Sequence, residues 1–310
     1  MILVVNLNLA IDQIVEVDEL RPGAVHRARA TSRLAGGKGV NVARVLRTLG
    51  ERCVVTGFLG GRAGEMIAAD LRAEGISFDC APIRDESRTC LILSDGHHRC
   101  QTVINEAGPR ISRDEMAGFT ATYRQLLRRG ADPVVITGSL PPGLPQETYA
   151  DLISHANQAG CRTLFDSSSA ALRHGLGAGP FMVKVNHEEA GEALQRAIKD
   201  FADAAQAADE LIGMGPAHAM ITLGARGALL AFEGVKYCLV PPLVQAVNSV
   251  GSGDAVMAGL AAGLRRGDRA EEIGALAIAA GAANALHGAG RCAIEEIRSL
   301  QPQVICRRLI

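Results

Sequence analysis

The sequence predicts an α/β protein with a largely parallel central sheet and a smaller β-sheet set outside it. Three observations predict this. Short apolar runs alternate with segments of helical period through most of the chain. Two segments, 12–33 and 87–109, break that rhythm with strand-like runs of their own. Near the C-terminus, a small-residue turn at Gly251, Ser252 and Gly253 feeds the apolar run Ala255–Leu264, the pattern of a buried helix.

Taken in order, Ile2–Leu7 is a nearly continuous apolar run, as expected of a strand buried on both faces. The segment 12–33 partly alternates in IVEVDEL and AVHRARATSRL, which predicts strands with one wet face. Glycines 36, 37 and 39 make a turn, and Val40–Leu49 follows at helical spacing. A strand at 54–60, a helix at 64–75 closed by Gly75 and a strand near 76–83 continue the βαβ pattern. Segment 87–109 reads as a hairpin turning at Asp95-Gly96, which pairs with 12–33 in one small sheet. Beyond it, Arg113–Arg129 and Glu147–Ala159 read as helices, and the runs from Pro133, from Cys161 to Phe165 and from Phe181 as strands. The last of these passes into a helix by Leu194. Residues 217–240 hold two or three strands with no helix between them, hence an antiparallel edge. After the helix at 255–264, a second apolar helix spans about Ala270–His287 and stops at glycines 288 and 290.

Composition narrows the function classes. A net charge of −1 without a basic tract gives no footprint for nucleic acid. Charged residues interrupt every long apolar run, so no membrane span is expected. The eight cysteines contain no C-x-x-C pair, which predicts reduced thiols rather than a disulfide framework or a zinc site. Met1–Ala10 lacks a basic n-region and soon meets Asp12, so it reads as a first strand, and the expected compartment is the cytoplasm.

The candidate chemistry centres on the turn at 251–253. A helix starting at a glycine turn aims unpaired backbone N–H groups and its positive dipole end at one spot, a ready anion site. Asp254 lies in the first turn, where a carboxylate could take a proton from a hydroxyl while the cradle holds developing negative charge. The plain alternative is an ordinary helix start. Lys38 sits inside another glycine turn, but Gly39 stands where a Walker loop needs Ser or Thr, so that motif is excluded. Asn186 and Glu189 form an N-x-x-E at a strand end, suited either to a hydrated metal ion or to a capped helix start.

Several stretches together resemble the ribokinase-like, or PfkB, family of carbohydrate kinases, over about Met1–Gly290. The strongest are AGGKGVNVAR at 35–44 and VGSGDAVMAG at 250–259, in that order and separation. Within the family the chain is most similar to the tagatose-6-phosphate kinase and 1-phosphofructokinase branch, through LNLAID (7–12), the SRTC run with Arg88, INEAGP (104–109), GSLPPGL (138–144) and KVNHEE (184–189). Leu9 and Val185 stand where that branch usually has proline.

The resemblance implies a three-layer α/β/α fold and one kinase domain over 1–310, with a β-sheet lid from about 9–34 and 86–106. It implies ATP-dependent phosphorylation of a ketohexose phosphate, with magnesium, and a homodimer formed through the lid. At matched positions it implies Asp254 as base and Gly251, Ser252 and Gly253 as anion hole. Asp12, Gly37, Lys38 and Asn41 would hold the sugar, and Arg27, Lys38, Arg88 and Ser139 its phosphate. Lys184, Asn186 and Glu189 would serve ATP phosphates and magnesium, and Thr222, Gly224 and Gly227 would line the nucleotide, with Asn284 near the adenine. Cations from distant stretches suit a reaction that joins two polyanions. Three other readings stay open: a kinase for an unphosphorylated sugar or nucleoside, a non-catalytic sugar-phosphate sensor, and a dehydrogenase. The last is disfavoured because the glycine loop does not follow the first strand.

Overall fold

Every residue of Ile2–Asn6 is buried, and they form β1 inside the main sheet. The structure, a computed structural model, describes residues 1–98 and 100–309. After β1 the chain leaves the main sheet as β2 (Ala10–Val17) and β3 (Ala30–Gly36). It returns through α1 (Lys38–Thr48), β4 (Cys53–Gly60), α2 (Gly61–Ala73) and the short β5 (Ser77–Phe78) and β6 (Ala81–Ile83). It leaves again as the hairpin β7 (Arg88–Asp95) and β8 (Cys100–Asn105). The alternation resumes with α3 (Arg113–Arg128), β9 (Val134–Thr137), α4 (Thr148–Gln158), β10 (Thr163–Asp166) and α5 (Ser169–Gly177). Next come β11 (Met182–Asn186), α6 (His187–Leu194), α7 (Phe201–Gly213) and β12 (His218–Thr222). The chain ends with β13 (Ala228–Phe232), β14 (Val235–Val240), α8 (Ser252–Arg266), α9 (Ala270–Ala285), α10 (Ile294–Leu300) and β15 (Ile305–Leu309).

The main sheet runs β15-β14-β13-β12-β11-β10-β9-β1-β4-β5, with β6 also on β4. Pairing is parallel from β5 to β12 and antiparallel from β12 to β15. Alternate residues of β1 enter two different cores. Ile2 and Val4 pack with residues of α1, α8 and α9, while Leu3 and Val5 pack with α3, α4, α5 and α7. The result is three layers, helices on both faces of one sheet. On the first face α8 and α9 lie close because Gly259 has no side chain: a carbon there would sit 2.5 Å from the Ala277 Cα.

The strand expected over 76–83 is two short strands, because Asp79 turns back to β4. Its N–H reaches the Val55 carbonyl, and its own carbonyl accepts from Thr56 Oγ1 at 2.6 Å. α5, α7, α10 and β15 lie in stretches for which the sequence reading made no assignment.

The second sheet has the order β3-β2-β7-β8. β2 pairs antiparallel with β3 and parallel with β7, which sets Asp12 opposite Cys90. Segments distant in sequence thereby present Asp12, Arg88, Cys90 and Asn105 toward one cleft.

Candidate active site

A cleft of about 670 Å³ lies between the second sheet and the carboxyl ends of the parallel strands. This edge of an open α/β sheet is where ligands bind, since loops and helix starts converge there. β1 delivers Asn6, β10 Asp166, β11 Lys184 and Asn186, and β12 Thr222. A recess of about 460 Å³ adjoins it, lined by Gly227, Pro241, Leu243, Val256 and Ile278 among others.

At the floor, α8 starts at Gly251, whose φ of 82° lies in the left-handed region that glycine adopts without strain. No side chain caps this end. Asp254, in the first turn, is 7% exposed, and its Oδ2 accepts from Asn41 Nδ2 at 2.9 Å. Burial pushes its carboxyl up to about 6, against the pull of Lys38 and the Asn41 hydrogen bond. A carboxylate with such a pKa is ionised at neutral pH yet basic enough to accept a proton.

Beside it, Asp166 is fully buried and bridges two ammonium groups, Lys38 Nζ at 2.6 Å and Lys184 Nζ at 2.7 Å. Burial disfavours all three charges. The mutual attraction outweighs it, holding the Lys38 ammonium well above its ordinary value and the Asp166 carboxyl below its own. Lys184 approaches the helix start, where a side-chain carbon on Gly253 would sit 2.9 Å from its Nζ. Glu189 Oε1 lies 3.6 Å from Lys38 Nζ. Asn186 and Glu189 also form a capping box: Asn186 Oδ1 accepts from two α6 N–H groups, and Glu189 Oε2 accepts from Asn186 N at 2.9 Å. Glu189 Oε1 is thus the carboxylate oxygen of the pair without a capping duty.

On the other side, burial pushes Asp12 up to about 6, opposed by Arg44 and Arg88. Arg88 is fixed by backbone carbonyls, donating Nε to Asn8 O at 3.2 Å and Nη1 to Glu106 O at 3.0 Å. Asn8 Nδ2 donates to Ala107 O and to Ser139 Oγ, tying together three loops at the cleft.

The cleft therefore gathers Asp12, Gly37, Lys38, Asn41, Arg88, Ser139, Lys184, Asn186, Glu189, Thr222, Gly224 and Gly251–Asp254. Gly227 lies in the recess. Two expected residues are not brought there. Arg27 is exposed on the segment between β2 and β3, outside the cleft lining. Asn284 is fully buried, and its amide is used as a brace: Nδ2 donates to Val250 O and Ser252 Oγ, and Oδ1 accepts from Gly290 N at 2.8 Å. It steadies the α8 start rather than facing the recess. Sequence reasoning passed over Asn6, Asn8 and Asp166. A carboxylate closing the buried run TLFD was the one available signal for Asp166.

The family model of pfkB family carbohydrate kinases matches residues 1–296. A 1-phosphofructokinase of Xanthomonas campestris pv. campestris is 39% identical over 265 residues, 84% of this chain and 83% of that one. A 1-phosphofructokinase of Bacillus subtilis is 33% identical over 310 residues, all of both chains. Phosphofructokinase-2 from Escherichia coli, solved in complex with substrates and products, superposes with a TM-score of 0.90 at 27% identity, over 97% of this chain and 98% of that one.

Proposed function

Because this chain belongs to the pfkB family of carbohydrate kinases, we propose a mechanism in which Asp254 is the general base and the start of α8 is the anion hole. The chain is an ATP-dependent sugar kinase acting on a ketohexose phosphate. Its relatives' names favour fructose 1-phosphate as the acceptor.

The observation that carries the mechanism is the placing of a buried, hydrogen-bonded carboxylate in the first turn of an uncapped helix, with Lys38 and Lys184 beside it. Asp254 takes the proton of the acceptor hydroxyl as that oxygen bonds to the γ-phosphorus. The bond from phosphorus to the β-bridging oxygen breaks, and ADP leaves. The N–H groups at the helix start and the Lys184 ammonium meet the charge on the transferring phosphoryl group. Asp12 and Asn41 position the sugar, and Arg88 with Ser139 holds its phosphate. The recess takes the adenosine, against Gly224 and Gly227.

The floor carries three carboxylates, Asp166, Glu189 and Asp254, against two ammonium groups, Lys38 and Lys184. That balance cannot neutralise a triphosphate, which argues for a divalent cation. Among the described residues no group of three or more His, Cys, Asp or Glu side chains could hold a metal ion. Magnesium would therefore be held mainly by phosphates and water, with Glu189 Oε1 receiving a water ligand, and would neutralise the phosphoryl oxygens. The second sheet acts as a lid and as a homodimer contact. Ile104 on its edge strand is 54% exposed and would be covered by a second copy, while its neighbour Val103 lines the cleft. No helix among the described residues is long and apolar enough to cross a membrane.

The test is ADP release with fructose 1-phosphate, tagatose 6-phosphate, fructose 6-phosphate and free fructose. Turnover at least tenfold faster on one phosphosugar than on free fructose is expected. Equal or faster turnover of free fructose would end the phosphosugar reading.

A further inference from the structure

Arg44 lies on α1, one turn beyond Asn41, and is buried away from the cleft lining. Its guanidinium is held on three sides. Nε and Nη2 donate to the two oxygens of Glu74, each at 2.7 Å. Nη2 also donates to the Ala35 carbonyl at 2.7 Å. Nη1 donates to Asn41 Oδ1 at 3.3 Å. A guanidinium has donors only, so the Asn41 oxygen must face Arg44 and its NH2 group must face away. What lies on that far side is Asp254 Oδ2.

We propose that Arg44 is a positioning residue for the base: clamped by Glu74, it fixes the Asn41 carboxamide so that its NH2, never its oxygen, meets Asp254. A carboxamide has two orientations related by a flip. Without Arg44 the flipped form would set a carbonyl oxygen against a buried carboxylate, and the Asp254 anion would lose its donor. A hydrogen bond to the charged form lowers an acid's pKa, so losing it raises the pKa. Asp254 must be ionised to act, so the acidic limb of activity moves to higher pH. The other groups facing Asp254 are Lys38, Asp166 and Lys184. None of them touches Arg44, so they stay in place when it changes; Asp12, whose carboxyl the Arg44 charge also pulls down, keeps a positive charge near it in Arg44→Lys and keeps Arg44 itself in Asn41→Ala.

Arg44 has a second contact that must be separated from the first. Through the Ala35 carbonyl it also anchors the end of β3, next to the turn carrying Lys38. Asp70 anchors the same residue from the other side, with Oδ2 accepting from Ala35 N at 2.9 Å. Asp70→Asn weakens this anchor, because a neutral amide oxygen accepts less strongly than a carboxylate, and leaves Asn41 untouched.

The inference rests on Asp254 being the base, and the experiment keeps the two apart. The pH profile of kcat/KM is measured for the full-length enzyme and for Arg44→Lys, Asn41→Ala, the double variant and Asp70→Asn. Lysine keeps a positive charge but cannot hold Glu74, Ala35 and Asn41 at once. Arg44→Lys and Asn41→Ala are each expected to move the acidic limb up by about one pH unit, a shift equivalent to about 1.4 kcal/mol. For Arg44→Lys, kcat/KM near pH 6 should fall about fivefold, with little loss at pH 8; Asn41→Ala, which also loses a contact to the sugar, is read by the position of its limb and not by its rate. In the Asn41→Ala background the lysine change should add no further shift, and Asp70→Asn should give none. A limb left in place by Arg44→Lys, a fully additive double variant, or an equal shift from Asp70→Asn would overturn the proposal. If Arg44→Lys fails to fold, Glu74→Gln loosens the clamp with the arginine kept, and must shift the limb in the same direction. If Asp254→Asn itself keeps full turnover, the base reading has failed, not this one alone.

Discussion

Among the described residues every charged group on the floor of the cleft has a fixed partner, whereas on the second sheet Arg88 is held by backbone carbonyls and Arg27 is exposed. The floor hangs from strand ends and helix starts whose other sides are fully packed cores. The second sheet has four strands, one of them with an exposed apolar edge. The difference divides the labour. Groups that meet developing charge must be placed before the reaction, because reorganisation would consume their advantage. Groups that recognise one end of the acceptor can close on it as it binds. On the mechanism proposed above, chemistry belongs to the rigid part and choice of acceptor to the part that is less tightly held.

The largest expected effect tests the floor. Asp254→Asn keeps shape and removes the base, and is expected to lower kcat by about 10²–10⁴-fold. Binding of ATP and sugar, by calorimetry, should change little. The same variant should also be more stable. Burial moves the Asp254 carboxyl from 3.8 to about 6, so folding favours its protonated form. Its contribution to stability falls as pH rises from about 4 to 6, and above that the ionised group costs the fold up to about 3 kcal/mol. Tm of Asp254→Asn should therefore exceed that of the parent at pH 8, with the gain vanishing near pH 4. Near-parental turnover would reduce Asp254 to a helix-start residue and remove the contrast between the two regions.

How much of this was legible depended on whether the signal was local. Ile2–Asn6 is a run of apolar residues and is a central strand. The glycine turn before Ala255 marks the start of α8, and IVEV, the first part of IVEVDEL, forms the end of β2 in the second sheet. Asp166 was not legible. Its partners Lys38 and Lys184 are 128 and 18 residues away, and no periodicity links them. Asn284 stands out as a polar residue in an apolar helix, but pattern alone cannot say whether its amide faces a ligand or, as here, three groups of the protein itself. The same holds for Arg44, which looks like the polar face of an amphipathic helix and is 6% exposed. Spacing reports which face a residue is on. It does not report what the other chain segment offers there.

The next effect tests the second sheet. Arg88→Ala is expected to cost at least tenfold in kcat/KM for the phosphosugar, since hydrogen bonds to charged groups contribute about 1.5–3 kcal/mol each. ATP KM and Tm should both stay within error, because no buried ion pair is broken. A rise confined to ATP KM would put Arg88 on the nucleotide side. A large fall in Tm would mean that the sheet is as tightly built as the floor, and the comparison would fail there.

The smallest effect falls where floor and cofactor meet. Glu189→Gln keeps the capping box, since Gln serves at that position as Glu does. It replaces the charge near Lys38, while Asp166 continues to hold that lysine at 2.6 Å. Fold and base are therefore left alone, and the lost feature is a negative oxygen able to receive a water of hydrated magnesium. The magnesium concentration for half-maximal activity should rise several-fold, in line with about 1 kcal/mol for one outer hydrogen bond. kcat at saturating magnesium should stay within about twofold. A titration that superposes on the parent's would leave Glu189 with its helix-capping role only, and would place the cation nearer the phosphates than to any side chain of the floor.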